Sequence, residues 1–292
     1  MVNTSAFASA TRCFILLSIV GLGGCSEGVL APKGPVAEAE RQILFNSLGI
    51  MLAIVIPTIL AILGVAYWFR SSNRRAIYRP NFAYSGRLEM IVWSIPAMTV
   101  LLVGGVAWLG AHDLDPRKPL ASDVAPLRIQ VVSLDWKWLF IYPDHGLATV
   151  NQLAVPVGIP LSFELTSSGV MNSFFVPQLG SQIYTMAGMT TRLQLQADHA
   201  GTYRGLSANF SGDGFADMRF AVDAVPPSEF ERWVQASRKA SPALDATAYT
   251  GLVAPSSALP PRIYGDVAPA LFDSIVRANM HGPHASAQRA IK

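Results

Sequence analysis

Two long apolar runs constrain the fold of this chain more than any other feature. The first occupies residues 43–69 and the second residues 88–110, and each contains a single proline, Pro57 or Pro96. A helix of about 20 apolar residues crosses the hydrocarbon core of a bilayer, and transmembrane helices tolerate proline. We therefore expect the two runs to form an α-helical hairpin that spans a membrane.

The connector between the runs, residues 70–87, indicates how such a hairpin is oriented. It contains five arginines and no acidic residue. Positive charge collects on the cytoplasmic side of membrane proteins, so the connector is expected inside and both outer ends of the hairpin outside. The alternative, a buried helical hairpin of a soluble protein, explains neither the length of the runs nor the arginine asymmetry.

The composition agrees with a membrane protein. Of the 292 residues, 51% are hydrophobic and only 14% are charged, whereas a soluble domain usually has about 25% charged residues. The net charge is only +3 and no long tract of lysine and arginine occurs. A wholly cytosolic enzyme and a nucleic-acid partner are therefore not expected.

The N-terminus has the layout of an export signal over residues 1–24. Arg12 precedes a short apolar core, which leads into small residues and then Cys25. This arrangement is typical of signal peptides, and the sequence Leu-Gly-Gly-Cys at residues 22–25 resembles a bacterial lipobox. Cys25 is then expected to be lipidated on the outer face of the membrane, with residues 25–42 following outside. An ordinary secretory signal with an incidental cysteine is the alternative.

The sequence pattern changes after a linker at residues 111–124. Apolar and polar residues alternate in several short stretches of residues 125–225, and Gly/Pro turns separate these stretches. Such a pattern predicts an all-β domain, an antiparallel sandwich or barrel. In residues 226–292 we expect a short helix that begins with a capping box from Ser228 to Glu231, another helix near residues 268–280, and a partly ordered tail.

The side chains available for chemistry in the outer domain are few. Both cysteines, Cys13 and Cys25, precede it, so it can form neither a disulfide nor a thiolate metal site. The five histidines are scattered along the chain, and no Ser/His/Asp set or carboxylate pair can be singled out. Catalysis by this chain alone is not expected. The histidines are His112, His145, His199, His281 and His284.

The order of export signal, hairpin and sandwich, together with Asp-Trp-Lys-Trp-Leu-Phe at residues 135–140, resembles subunit II of the haem-copper respiratory oxidases. The resemblance covers residues 25 to about 235 and implies a cupredoxin-like sandwich. In cytochrome c oxidases this domain binds a dinuclear copper centre. Here the ligand positions are changed, and only a methionine remains of the original set. These positions are Asn172, Ser207, Asn209, Ser211, Phe215 and the retained Met218.

The altered positions favour one branch of that family. A copper pair needs thiolate and imidazole ligands, so the resemblance implies no metal and no cofactor in this chain. It implies the ubiquinol oxidases of the cytochrome bo type, in which quinol reduces a haem of subunit I directly. Haems and copper are then expected in subunit I. Subunits I, III and IV and membrane lipid are expected as partners, and cytochrome c is not, since Tyr184 stands where a docking acid would be.

The resemblance also bears on three side chains. Glu89, near Arg87 at the start of the second run, would by position alone be a surface carboxylate that pairs with an arginine. The family implies instead that Glu89 is the cytoplasmic mouth of a proton channel that runs through subunit I. Trp136 and Trp138 are expected to serve packing, in the core and at an interface.

Two functions follow from these expectations. The first is a non-redox subunit II of a proton-pumping terminal ubiquinol oxidase in a bacterial plasma membrane, which supports the assembly and stability of subunit I. The second is a membrane-anchored lipoprotein whose metal-free sandwich acts as a binding or scaffold module. Co-purification with haem distinguishes the two.

Overall fold

The structure is a computed structural model that describes residues 28–77 and 79–280. The chain divides into two compact units, of which one comprises residues 39–115 and the other the residues before and after them. The predicted signal peptide, Cys25, His281 and His284 lie outside the described residues.

The unit of residues 39–115 contains α2 (Gly86–Asp113) and all but the first turn of α1 (Pro35–Trp68). Both are long and apolar enough to cross a membrane, with mean hydropathies of 2.7 and 2.0 over their most apolar windows. Helix α1 begins at Pro35 rather than at residue 43, because residues 35–42, which precede the apolar run, include good helix formers such as alanine, glutamate and arginine. The apolar run therefore marks the expected membrane segment and not the helix boundary.

The second unit is a β-sandwich of two sheets. The first sheet has the strand order β12-β3-β2-β1-β5-β8 and the second β4-β10-β9-β6-β7. Its strands are β1 (Leu127–Leu134), β2 (Lys137–Tyr142), β3 (Leu147–Val150), β4 (Gln152–Pro156), β5 (Leu161–Ser167), β6 (Asn172–Phe175), β7 (Ile183–Thr185), β8 (Thr191–Leu195), β9 (Gly201–Ser207), β10 (Arg219–Val225) and β12 (Arg262–Tyr264).

The sandwich is mixed rather than purely antiparallel. Strand β1 pairs in parallel with β5, and β10 pairs in parallel with β4. The chain crosses from the first sheet to the second at β4 and returns at β5, so β1 and β5 meet without a hairpin between them. Local alternation predicts strands but contains no information on this crossover.

The first sheet is buried on both faces at its centre, in β2 and β3. Val131 belongs to the core between the two sheets, whereas the adjacent Val132 belongs to a second apolar cluster on the opposite face. Every residue of β2 is buried. The second cluster exists because the C-terminal segment covers the outer face of the sheet, where Leu244, Leu252 and Phe272 pack.

The C-terminal segment is more ordered than its composition predicts. It contains α3 (Pro227–Ala240), β11 (Ala243–Leu244), α4 (Ala246–Val253), β12, β13 (Asp266–Val267) and α5 (Leu271–Met280). The predicted capping box is not formed, because α3 begins at Pro227 with Pro226 as its N-cap. Strand β12 pairs with β3 and thereby extends the first sheet.

A buried lysine ties this segment to the sandwich. Lys137 on β2 is only 1% exposed, and its Nζ donates hydrogen bonds to the carbonyl oxygens of Ala254 (2.8 Å) and Asp135 (3.1 Å). Burial lowers the pKa of Lys137, because desolvation disfavours the charged amine. Nearby, Asn151 Nδ2 donates to the carbonyl oxygen of Leu259 at 2.8 Å. The segment is thus held by specific hydrogen bonds in addition to apolar contact.

The residues that precede α1 also belong to the sandwich unit. The N–H of Lys33 donates to the carbonyl oxygen of Gln178 (2.7 Å), and the N–H of Asp198 donates to that of Lys33 (2.8 Å). A Cβ at Gly34 would lie 1.9 Å from the carbonyl oxygen of Gln196, so only glycine permits this approach. The segment before the first helix is therefore part of the folded outer domain.

Candidate functional site

Two neighbouring strands of the second sheet bring together two of the positions that the resemblance assigns to copper ligands in cytochrome c oxidases. Asn172 is the first residue of β6 and Ser207 the last of β9, and these strands are adjacent. Ser207 Oγ donates to Asn172 Oδ1 at 3.1 Å. The N–H of Ser207 also donates to the carbonyl oxygen of Met218, at 3.1 Å, which closes the loop of residues 207–218. Positions far apart in sequence thus meet at one end of the sandwich.

The side chains of Asn172, Ser207 and Asn209 form hydrogen bonds with one another or with the backbone. Asn172 Nδ2 donates to the carbonyl oxygen of Val170 and Asn209 Nδ2 to that of Met171, both at 3.2 Å. The side chains of Asn172 and Ser207 are buried. Buried polar groups need such partners because an unpaired one costs about 1–3 kcal/mol. The loop is therefore closed by neutral hydrogen bonds.

Three further positions that the resemblance assigns to copper ligands are Phe215, Ser211 and Met218. The Phe215 ring packs edge-on against Phe210 with ring centroids 5.6 Å apart, and a phenyl ring has no lone pair for a metal. The hydroxyl oxygen of Ser211 is buried and has no hydrogen-bond partner within the described residues. Met218 belongs to the core between the sheets and is 1% exposed.

These residues do not fit a dinuclear copper centre. Such a centre needs soft thiolates and imidazoles, and the hydroxyl and amide groups of serine and asparagine are poor substitutes. Of the ligand set that the resemblance implies, only the thioether of Met218 is present, and a lone thioether binds copper weakly. Within residues 28–77 and 79–280, no group of three or more His, Cys, Asp or Glu side chains lies close enough to hold a metal ion.

Trp136 lies over the same loop. Its indole N–H donates to the carbonyl oxygen of Ser211 at 3.1 Å. A Cβ at Gly214 would lie 2.4 Å from the Trp136 ring and one at Gly212 would lie 3.2 Å from it, so two glycines allow the ring to approach. Trp136 itself adopts a left-handed backbone conformation with φ of 62°, which is uncommon for a large side chain. Its packing against the loop stabilises this backbone.

Trp138 is a core residue. Its ring is fully buried between the sheets, with centroids 5.5 Å from Phe174 and 5.7 Å from Phe220 in edge-on arrangements. Such aromatic pairs contribute about 0.5–1.5 kcal/mol beyond the area they bury. Trp138 is therefore remote from any exposed interface of the sandwich, whereas Trp136 is half-buried.

Glu89 lies in the first turn of α2, in the other unit of the chain. Its N–H donates to the carbonyl oxygen of Ser85 at 3.0 Å, and Ser85 is the N-cap. A carboxylate in this position is favoured by the helix dipole. Its side chain accepts a hydrogen bond from Trp93 Nε1 at 3.0 Å. In the part of the chain that the structure describes, no ion pair joins Glu89 to Arg87.

The hydrogen bond between Trp93 and Glu89 was not predicted from the sequence. The signal that could have found it is the spacing of four residues, since residues i and i+4 are neighbours on a helix surface. An apolar run does not draw attention to one tryptophan among many apolar residues.

The class of protein follows from comparison with known families. A family model for the periplasmic domain of cytochrome c oxidase subunit II matches residues 143–225, and one for the aromatic-rich motif of these oxidases matches residues 238–282. The sandwich and its C-terminal segment are therefore those of an oxidase subunit II, with the cupredoxin-like fold predicted from the sequence. Two apolar helices joined to such a periplasmic domain make the chain an inner-membrane protein.

Relatives along the whole chain define the family further. Cytochrome bo(3) ubiquinol oxidase subunit 2 of Pseudomonas aeruginosa is 43% identical, with 99% of this chain and 89% of the relative covered. Ubiquinol oxidase subunit 2 of Acetobacter aceti is 46% identical, with 94% and 90% covered. The chain belongs to the ubiquinol oxidase subunit 2 family. The predicted resemblance is thereby confirmed.

The chain is also similar to a solved structure, the periplasmic domain of subunit II of cytochrome oxidase from Bradyrhizobium japonicum. It is 24% identical with a TM-score of 0.39, and the match covers 42% of this chain and 98% of that one. A haem-copper terminal oxidase dimer contains a chain that is 16% identical with a TM-score of 0.37, with 48% and 100% covered.

Proposed function

We propose that this chain is the non-redox subunit II of a proton-pumping terminal ubiquinol oxidase, which oxidises quinol and reduces oxygen to water. The observation that supports this most is the hydrogen bond between Ser207 and Asn172, in a family named for ubiquinol oxidation. At these two positions copper would need a thiolate and an imidazole, whereas Ser207 and Asn172 form a hydrogen bond with each other. The family membership along nearly the whole chain favours this function over an unrelated scaffold lipoprotein.

The chain then contributes structure rather than electron transfer. Haems and copper belong to subunit I, and quinol delivers its electrons there. The sandwich caps subunit I on the periplasmic side and supports its assembly and stability, while α1 and α2 hold the chain in the membrane beside subunits III and IV and lipid. Tyr184, which is exposed, provides no negative charge for docking cytochrome c.

The choice of electron donor tests this proposal. The complex purified through this chain is expected to consume oxygen with ubiquinol and to show no oxygen uptake with reduced cytochrome c, because no metal in this subunit can receive the electron. Oxygen uptake on cytochrome c that matches the rate on quinol would overturn the proposal.

We also propose that Glu89 is the cytoplasmic mouth of a proton channel of subunit I. Its support is the exposed position in the first turn of α2, directly after the arginine-rich connector that we place in the cytoplasm. A carboxylate there exchanges protons with water and passes them inward through hydrogen-bonded groups. Ionisable residues at the membrane surface of a spanning helix often mark such routes.

We further propose that Cys25 is lipidated after removal of residues 1–24, which leaves the N-terminus and the sandwich in the periplasm. The support is the Leu-Gly-Gly-Cys sequence, and an acyl chain would reinforce a chain that is already membrane-bound. Mass spectrometry of the mature chain is expected to show an acylated N-terminal cysteine that disappears in Cys25→Ser. An unmodified Cys25, or a chain that retains residues 1–24, would contradict lipidation.

A further inference from the structure

The hydrogen bond between Trp93 and Glu89 joins two side chains that lie one turn apart on α2. The indole Nε1 lies 3.0 Å from Glu89 Oε2, the ordinary distance of a hydrogen bond to a carboxylate. Trp93 is 72% exposed on the isolated chain, so the ring is not held there by burial. The two residues therefore share one side of the helix, as the spacing of four residues requires.

In this pair Trp93 is the hydrogen-bond donor and Glu89 the acceptor. An indole N–H is a donor only, so Trp93 can hold the carboxylate but can neither accept its proton nor pass one on. The bond occupies Oε2 and leaves Oε1 for water or for the next group of a proton route. A glutamate side chain has several rotatable bonds and can adopt many orientations. A hydrogen bond that fixes the carboxylate raises the fraction of time that it spends in the orientation suited to proton transfer.

The surroundings of the pair favour a functional role. An ionised group that faces lipid within a spanning helix is costly, so such groups face protein or water. Because Trp93 lies on the same side as Glu89, its ring is expected at that protein or water boundary too. We propose that Trp93 is a positioning residue that orients the Glu89 carboxylate for proton uptake. This inference rests on the role of Glu89 proposed above.

The test uses the assembled complex and turnover per haem at saturating ubiquinol. Trp93→Phe keeps an aromatic ring and removes the donor. It is expected to lower kcat about two- to tenfold with the KM for quinol unchanged, which is the factor that corresponds to the net free energy of one ordinary hydrogen bond. Trp93→Gln removes the ring but supplies an amide donor at the same spacing, and is expected to recover part of the loss. Trp108→Phe, a comparable change near the other end of α2, is the control and is expected to have wild-type turnover.

A double variant separates positioning from packing. Because Trp93 acts through Glu89, adding Trp93→Phe to Glu89→Gln is expected to lower turnover no further than Glu89→Gln alone. A full additional loss in the double variant, or Trp93→Gln that is slower than Trp93→Phe, would show that the ring acts by packing and would overturn the inference. So would wild-type turnover of Trp93→Phe. If Glu89→Gln itself turns over at the wild-type rate, the proposed role of Glu89 is wrong, and the inference about Trp93 is wrong with it.

Discussion

Glu89→Gln is expected to lower the turnover of the assembled oxidase about tenfold or more, with unchanged haem content. The amide has nearly the size of the carboxylate but can neither bind nor release a proton near neutral pH. Protons must then reach subunit I by slower routes. Quinol reduces haem in the partner subunit, so this step is not expected to be affected directly. Proton supply is then expected to limit the overall turnover.

The measurement is proton uptake and oxygen consumption by the complex in lipid vesicles. Asp113→Asn at the last residue of α2 is the matched control, because it makes the same chemical change at the opposite end of the same helix. We expect that control to retain wild-type rates. Wild-type turnover and proton uptake in Glu89→Gln would remove Glu89 from the proton route.

The second large effect is expected from placing copper ligands at the positions that the family resemblance implies. A full-length chain with Asn172→His, Ser207→Cys, Asn209→Glu, Ser211→Cys and Phe215→His is expected to bind a pair of copper ions with intense visible absorption. The unchanged chain is expected to bind none tightly. The reason is that the frame already brings the side chains of Asn172 and Ser207 to 3.1 Å and keeps Met218 at the end of the loop.

The control separates ligand chemistry from loop shape. A variant with Asn172→His and Phe215→His but with both serines retained offers imidazoles without thiolates, and is expected to give no such absorption because copper pairs require the soft ligands. If the complete set binds no copper and the chain is folded, the loop under Trp136 has changed shape as well as chemistry. The absence of copper binding could then not be explained by the ligand substitutions alone.

The hairpin and the sandwich could be predicted because their signals are local. Long apolar runs and period-two alternation depend only on neighbouring residues, and both kinds of element formed where the patterns indicated. The contact between Asn172 and Ser207 could be anticipated only through the family resemblance. Composition and spacing alone give no reason for residues on separate strands to meet.

The order of the C-terminal segment could not be predicted in the same way. Alanine, proline and serine separate its larger apolar residues in sequence, and several of these, such as Leu244 and Phe272, become buried only against the outer face of β2 and its neighbours. The pairing of β12 with β3 and the burial of Lys137 arise from that same long-range packing. The segment before α1 was unpredictable for the same reason, because the need for glycine at Gly34 is set by Gln196 on a distant part of the chain.

The central claim is that this chain is a redox-inactive subunit of a haem-copper quinol oxidase. Its most direct test is purification from native membranes through a tag on this chain, followed by metal analysis, a haem spectrum and separation of the subunits. We predict that haem and copper copurify with the chain and reside entirely in a partner subunit. Recovery of the chain alone and free of haem, or copper bound to the separated chain, would contradict the claim.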